Sequence, residues 1–295
     1  MVAIVTGANG QLGQSLQFIA PNYPEIKFVF CSSADLDISN LESCQSVFSK
    51  IKPNYCINAA AYTAVDKAES EPEKAHLINV DGARNLAAAC KEHSTILLHI
   101  STDFVFDGNK KNVTLSAVEV PYTEEDIPNP TGVYGQTKLE GEKAIQATFE
   151  NHYIIRTSWV YSQYGNNFMK TMLRLASERD SISVVNDQIG TPTNAVDLAE
   201  VLIKIILTDN RQPTTDNFGI YNFSNEGQCS WYDFAKNIFE VNNIKINLNP
   251  IPTASFPTPT KRPKYSVLDK TKIKRTFGLE IKNWEESLAQ ITSSI

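Results

Sequence analysis

Val2-Ala-Ile-Val-Thr-Gly7-Ala-Asn-Gly10-Gln-Leu-Gly13, next to the N-terminus, carries the pattern of a nucleotide-binding strand, turn and helix. Residues 2–5 are a short apolar run ended by glycine, the pattern of a strand buried in a parallel sheet. Three glycines at GxxGxxG spacing follow, then a helix carried by Leu16 and Ile19. Strand, glycine turn and helix in that order form the context a dinucleotide site requires. Glycines let the backbone approach a pyrophosphate, and a helix N-terminus offers free N–H groups and partial positive charge. Gly7, Gly10 and Gly13 are therefore candidate cofactor residues.

Lys27-Phe-Val-Phe-Cys31 is a second strand one βαβ unit on. Its end should carry the group that reads the adenine ribose, an acid for NAD or a base for NADP. The chain offers Ser32, Ser33 and Asp35 there, with no arginine. A serine bonds a hydroxyl or a phosphate, so NADH and NADPH both stay open. Asp37-Ile38-Ser-Asn40 then leads into a helix through Leu41, Cys44, Phe48 and Ile51, with Asp37 readable as a cap, a turn residue or a ligand contact. Tyr55-Cys-Ile-Asn58 is a third strand, running into Ala59-Ala60-Ala61-Tyr62-Thr63. Small residues at a strand's C-terminal end leave room for a flat ligand where open α/β sheets bind them.

The spacing predicts one amphipathic helix over 72–92 and a fourth strand, Ile96-Leu-Leu-His-Ile100, followed by Ser101-Thr102-Asp103-Phe104. His99 lies within that strand with no second His or Cys at ligand spacing, and reads as structural. Ser101 and Thr102 stand where a hydroxyl could face the crevice, although alone they read as turn residues. Residues 107–130, with Pro121, Pro128 and Pro130, read as a long surface excursion. It delivers the chain to Thr131-Gly-Val-Tyr134-Gly-Gln-Thr-Lys138, which places a phenol and an ammonium on one face of a helix reaching about 148. A free phenol has a pKa near ~10, and a cation one turn away favours the phenolate. The pair alone is a weak signal, since most such pairs are a half-buried Tyr beside a solvated Lys. Tyr153-Ile-Ile-Arg-Thr157 is the fifth strand. Strands and helices alternate over 2–158, which predicts an α/β fold with a doubly wound parallel sheet.

After Ser158-Trp159-Val-Tyr161 the alternation loosens. An Asn-rich cap opens a helix after 165, a strand spans 183–185, a turn 187–193 and a helix 195–207. A strand spans 219–223, and Ser230 caps a helix carrying Trp231, Phe234 and Ile238. Residues 247–266 read as a proline-rich basic loop, either solvated or a clamp on a phosphate-bearing ligand. Short helices are expected near 269–276 and 283–292. The chain thus divides into 1–158, a nucleotide-binding domain to which segments near 194–224 return, and 159–295, a smaller substrate-binding domain.

The formal charge of −6 over 295 residues argues against a nucleic-acid partner. The five cysteines form no CxxC and sit among apolar neighbours, as thiols of a reducing cytosol do. No basic leader precedes the first strand and no apolar run approaches a membrane span. A cytoplasmic location, with no membrane partner, is the expectation.

The glycine turn, Asn58-Ala-Ala-Ala, Ser101-Thr102 and Tyr134-xxx-Lys138 together resemble the extended short-chain dehydrogenase/reductase family. Val65-Asp66-Lys-Ala-Glu69, Ser101-Thr-Asp-Phe-Val-Phe-Asp-Gly108, Arg156-Thr-Ser-Trp-Val-Tyr161, Asn167-Phe-Met-Lys-Thr-Met-Leu173 and Asp187-Gln-Ile-Gly-Thr-Pro-Thr193 resemble, within it, the dTDP-4-dehydrorhamnose reductases. The likeness covers nearly the whole chain. It implies hydride transfer from NADPH or NADH to the C4 ketone of a dTDP-4-keto-6-deoxy-L-sugar. On this resemblance Tyr134 donates the proton, Lys138 holds the nicotinamide ribose and lowers the phenol's pKa, and Thr102 bonds the carbonyl oxygen. Gly10, Gln11 and Leu12 would meet the pyrophosphate, and Ser32, Asp37 and Ile38 the adenine end. Ala59, Ala60, Ala61, Tyr62 and Thr63 would meet the middle of the cofactor. Val65, Asp103, Phe104, Trp159, Asn167, Gln188 and Thr191 would line the sugar-nucleotide side, with Arg262 on the diphosphate.

Three departures accompany the likeness. Phe104 stands where some members carry Tyr, and Ser15 where some carry an acid that helps hold a magnesium ion between two copies. No charged residue reads the ribose. The expectation is a monomer or homodimer with no metal. A nucleotide-sugar 4-epimerase shares the fold and the Tyr/Lys pair, and a non-catalytic regulatory subunit shares the fold. A 4,6-dehydratase fits less well, because Asp103 is followed by Phe104 rather than Glu.

Overall fold

A computed structural model describes residues 1–110, 120–211 and 215–292. The first half alternates as its periodicity requires. In order it contains β1 (Val2–Thr6), α1 (Gln11–Ile19), β2 (Lys27–Cys31), α2 (Leu41–Ile51), β3 (Tyr55–Asn58), α3 (Val65–Ala68), α4 (Pro72–His76), α5 (Gly82–Glu92), β4 (Ile96–Thr102), α6 (Val133–Thr148) and β5 (His152–Thr157). The second half supplies β6 (Val160–Tyr161), α7 (Phe168–Glu178), β7 (Ser181–Val185), β8 (Ile189–Gly190), β9 (Thr193–Asn194), α8 (Ala195–Arg211) and β10 (Gly219–Asn222). It closes with β11 (Cys229–Ser230), α9 (Trp231–Val241), β12 (Asn247–Ile251), α10 (Thr271–Phe277) and α11 (Trp284–Thr292).

Among the described residues, six strands form one parallel sheet in the order β10-β5-β4-β3-β1-β2. Apolar side chains leave both of its faces. Ala3, Val5, Ile57, Leu98 and Ile155 pack on α1 and α8, whereas Ile4, Cys56, Leu97 and Ile154 pack on α2, α5 and α6. Burial on both sides explains why these strands read as continuous apolar runs. The strand order reverses between β1 and β3, which opens a crevice at their C-terminal ends.

A third core, built from Tyr161, Met169, Met172, Phe234, Ile238, Trp284 and Leu288, holds the later elements together. Two expectations change here. Residues 247–251, read as loop, form β12 and pair in parallel with β7. Pro250 is tolerated because a strand with one neighbour leaves its outer edge free of ladder donors. The helix expected over 72–92 carries a π turn at Leu77–Asp81 between α4 and α5. Residues 111–119 of the surface excursion lie outside the described residues. Among the described residues no helix is long and apolar enough to cross a membrane.

Candidate active site

The crevice at the reversal point widens into a cavity of about 530 Å³. Its floor is the glycine turn and the C-terminal ends of β3 and β4, and one wall is the first turn of α6. Gly7 holds φ +66°, and a Cβ there would stand 2.7 Å from the carbonyl carbon of Ala59. A side chain would therefore force β1 and β3 apart at the crevice. Gly10, Gln11 and Leu12 bring the start of α1 to the cavity. Gln11 also ties the two halves of the chain together, donating to the Val160 carbonyl at 3.4 Å and accepting from Asn167 at 2.9 Å.

Tyr134 and Lys138 stand one turn apart on α6, both buried. The ammonium lies 2.6 Å from the Ile100 carbonyl oxygen and 3.3 Å from His99 Nε2. Desolvation lowers Lys138 to about 8, with Glu142 on the same helix opposing. The phenol departs from expectation. Burial pushes Tyr134 up to about 12, the neighbouring Thr102 hydroxyl opposes this and the Asp103 carboxylate adds to it. The lysine is turned to Ile100 and His99, so desolvation governs the phenol.

Thr102 caps the short turn after β4, accepting from Phe104 N–H at 3.2 Å and donating to Asp103 Oδ1 at 3.1 Å. Asp103 is raised to about 6, chiefly by burial, against hydrogen bonds from Ser266 and Thr102. Its Oδ2 has no hydrogen-bond partner among the described residues. Phe104 meets the Tyr134 ring edge-on at 5.6 Å. Beneath them Arg156 makes a two-point bond to Glu142, Nε to Oε1 at 3.0 Å and Nη2 to Oε2 at 2.7 Å, and Ser101 donates to the same carboxylate.

On the far side Trp159 and Trp231 stack with ring centroids 3.5 Å apart, and Trp159 holds a left-handed φ of +46°. A non-glycine residue in that region marks a place the surrounding packing over-determines. Arg262 reaches the rim, bonded to Asp66 at 3.0 Å.

Of the residues expected from the sequence, Gly10, Gln11, Leu12, Ala59, Ala60, Ala61 and Thr63 line this cavity on the cofactor side. Val65, Thr102, Asp103, Phe104, Tyr134, Lys138, Trp159, Asn167 and Arg262 line it too. Gly7 and Gly13 shape the turn from behind. Ser32 stands at the end of β2 and donates to Asp35, Asp37 holds the Ser39 turn, and Ile38 packs in the core. Three expected residues are engaged elsewhere. Tyr62 is buried with its hydroxyl on Glu71, Gln188 donates to Thr253, and Thr191 donates to the Gly227 carbonyl. Trp231 and Leu198, not anticipated as contacts, line the cavity, as does Ser101, which the sequence placed where a hydroxyl could face the crevice. Trp231 carried no signal beyond an aromatic on an amphipathic helix.

A sequence profile described as the RmlD substrate binding domain matches residues 1–295. The chain belongs to this family. The RmlD-family relative from Aggregatibacter actinomycetemcomitans, a dTDP-4-dehydrorhamnose reductase, is 43% identical over 299 residues, 98% of this chain and 97% of its own. A solved dTDP-4-dehydrorhamnose reductase from Clostridium acetobutylicum superposes with TM-score 0.91 at 42% identity, covering 100% of this chain and 99% of that one. The Bacillus anthracis enzyme of the same name, solved in complex with NADP, gives 0.91 at 40% identity with the same coverage. A Thermus thermophilus UDP-glucose 4-epimerase with NAD gives 0.80 at 16% identity, which is likeness of fold alone.

Proposed function

We propose that the protein uses NADPH or NADH to reduce the C4 ketone of dTDP-4-dehydro-β-L-rhamnose, yielding dTDP-L-rhamnose for cell-surface polysaccharide precursors. The observation that carries this reading is the convergence of Thr102, Tyr134 and Lys138 on the cavity whose floor is the glycine turn. That floor fits a dinucleotide: the backbone from Gly10 to Leu12 borders the cavity, and the turn leaves Gly7 no room for a Cβ. When bound, the nicotinamide supplies the hydride. Tyr134, protonated across the neutral range, gives its proton to the carbonyl oxygen as that oxygen gains charge, and the Thr102 hydroxyl holds the same oxygen. Lys138, one turn on and lining the same cavity, would hold the nicotinamide ribose.

The same reading gives residues 1–158, with 194–224 returning, the cofactor, and most of 159–295 the dTDP-sugar. Trp159, Asp103 and Val65 are sugar-nucleotide contacts, and Arg262 meets the diphosphate as a bidentate donor. The protein works in the cytoplasm as a monomer or homodimer. Loss of the nicotinamide absorbance on adding the dTDP-sugar, with each cofactor in turn, tests the reaction. Tyr134→Phe should lower turnover by about 10²-fold or more with cofactor affinity little changed; equal turnover would remove the proton-donor assignment.

A further inference from the structure

Thr6, Asn58 and His99 occupy matched register positions on β1, β3 and β4, and their side chains form one hydrogen-bonded row ending at Lys138. Thr6 Oγ1 lies 2.7 Å from Asn58 Oδ1, Asn58 Nδ2 lies 2.9 Å from His99 Nδ1, and His99 Nε2 lies 3.3 Å from Lys138 Nζ. All four residues are buried, each 1% exposed.

The row has two self-consistent arrangements, and in the first the Ala60 N–H, which cannot accept, sets the direction. The Ala60 N–H faces Asn58 Oδ1 at 3.2 Å, which sets the amide oxygen toward Ala60 and Thr6. The Asn58 NH2 must then donate to His99 Nδ1, and a neutral imidazole so bonded carries its proton on Nε2. That N–H points at the lysine nitrogen. An ammonium has three donors and no acceptor, so two donors would face each other; only a neutral amine accepts here. The other consistent arrangement reverses the row. The ammonium donates to Nε2, Nδ1–H donates to Asn58 Oδ1, the amide NH2 donates to Thr6, and Ala60 N–H keeps only Thr6 Oγ1 at 3.4 Å.

We propose that Asn58 and His99 are positioning residues whose bond polarity follows the charge on Lys138 and carries that charge to the Ala60 N–H bordering the cofactor cavity. This goes beyond the reduction proposed above but concerns the same lysine. The other charged or titratable groups near the row are accounted for. Glu142 faces Lys138 from its own helix and is held by Arg156, His152 faces His99 from β5, and Tyr134 stands one turn before the lysine. His152 keeps its Nδ1 on the Phe149 carbonyl at 2.6 Å, and burial lowers both it and His99. Neither is therefore a cation across the range in which the lysine titrates.

The test reads tautomers in the intact, ligand-free protein. Nitrogen-15 spectra of its four histidines, assigned with His99→Asn, should show the His99 proton moving from Nε2 to Nδ1 as pH falls through the lysine's titration. A single His99 tautomer over roughly three pH units around that point overturns the proposal. A second measurement uses NADPH affinity against pH. Asn58→Asp puts a carboxylate where Ala60, Thr6 and His99 can all donate, which favours the ammonium polarity. Its alkaline limb should rise by about one pH unit, and in a His99→Leu background the rise should vanish. A rise of equal size in that background, or none in either, overturns the relay. The spectra decide alone if the variants do not fold. No sugar substrate enters either measurement, so this failure and failure of the proposed reaction are told apart.

Discussion

Replacing Asp103 by asparagine should make the protein more stable and less active, and the size of the gain follows from its burial. The carboxyl is fully enclosed and raised from 3.8 to about 6, so keeping it ionised at neutral pH opposes folding. A shift of about two units corresponds to roughly 3 kcal/mol at 1.36 kcal/mol per unit. Asparagine keeps an oxygen for the Thr102 hydroxyl but sets an NH2 where Oδ2 has no partner, at a penalty of about 1 kcal/mol. The net expectation is about 2 kcal/mol, or about 4 °C in Tm at this size, measured by thermal unfolding at pH 8. The sign follows from linkage. A carboxyl whose folded pKa lies above its unfolded value lends stability below the unfolded pKa and loses it as pH rises through the folded one. The advantage of the Asp103→Asn variant over the wild type should therefore shrink by about half or more at pH 5. The same substitution should lower kcat/KM for the sugar nucleotide, as removal of a functional burden commonly does. An unchanged or lowered Tm at pH 8 would refute the claim that this carboxylate is held ionised against its surroundings. A gain equal at both pH values would refute ionisation as its origin.

The dependence of kcat/KM on pH should be bell-shaped, with an acid limb near 6 from Asp103 and an alkaline limb near 8 from Lys138. A limb displaced toward 10 would put the lysine in a far wetter site than the one seen. Glu142→Ala leaves Arg156 buried without its carboxylate and should cost roughly 3–5 kcal/mol in denaturant unfolding, whereas a paired Glu142→Met, Arg156→Met replacement should recover most of it. Trp231→Ala removes the ring stacked on Trp159 and should raise KM for the sugar nucleotide by roughly 10-fold with KM for the cofactor unmoved; equal changes in both would place the stack outside the sugar side.

What could be read from the sequence was local. The first strand, its glycine turn and its helix span residues 2–19, and Tyr134 and Lys138 share one turn of one helix, so periodicity and spacing suffice. What escaped was set by distant partners. Gln11 meets Asn167 across 156 residues, and Trp231 reaches the cavity only because α9 packs on the aromatic cluster around Phe168 and Phe234. Residues 247–251 lack strand composition, yet β7 offers them an open edge. Tyr62 follows three cavity alanines in sequence, but Asn79 takes its backbone N–H at 2.9 Å and Glu71 takes its hydroxyl, which turns the ring away. His99 was read as structural because no second ligand follows it. Its neighbours Asn58 and Lys138 are 41 and 39 residues away in the chain.

Burial is the largest influence on the interval in which this site can work. Excluding water disfavours whichever form of a group is charged, so it lowers the lysine and raises the phenol and the carboxyl at once. The proposed reduction uses a cationic lysine and a neutral phenol, and we take the Asp103 contact to the sugar nucleotide to be made by its carboxylate. The three conditions hold together only between about 6 and 8, with the phenol far from limiting. A wetter cavity would widen that interval on both sides, yet it would weaken every electrostatic contact made to the carbonyl oxygen as it gains charge. A drier one would close the interval from both ends. The Arg156–Glu142 pair resists the second outcome, since its carboxylate is what opposes the lysine's fall. The stability that pair contributes and the pH range of the chemistry are therefore one property of the same buried floor.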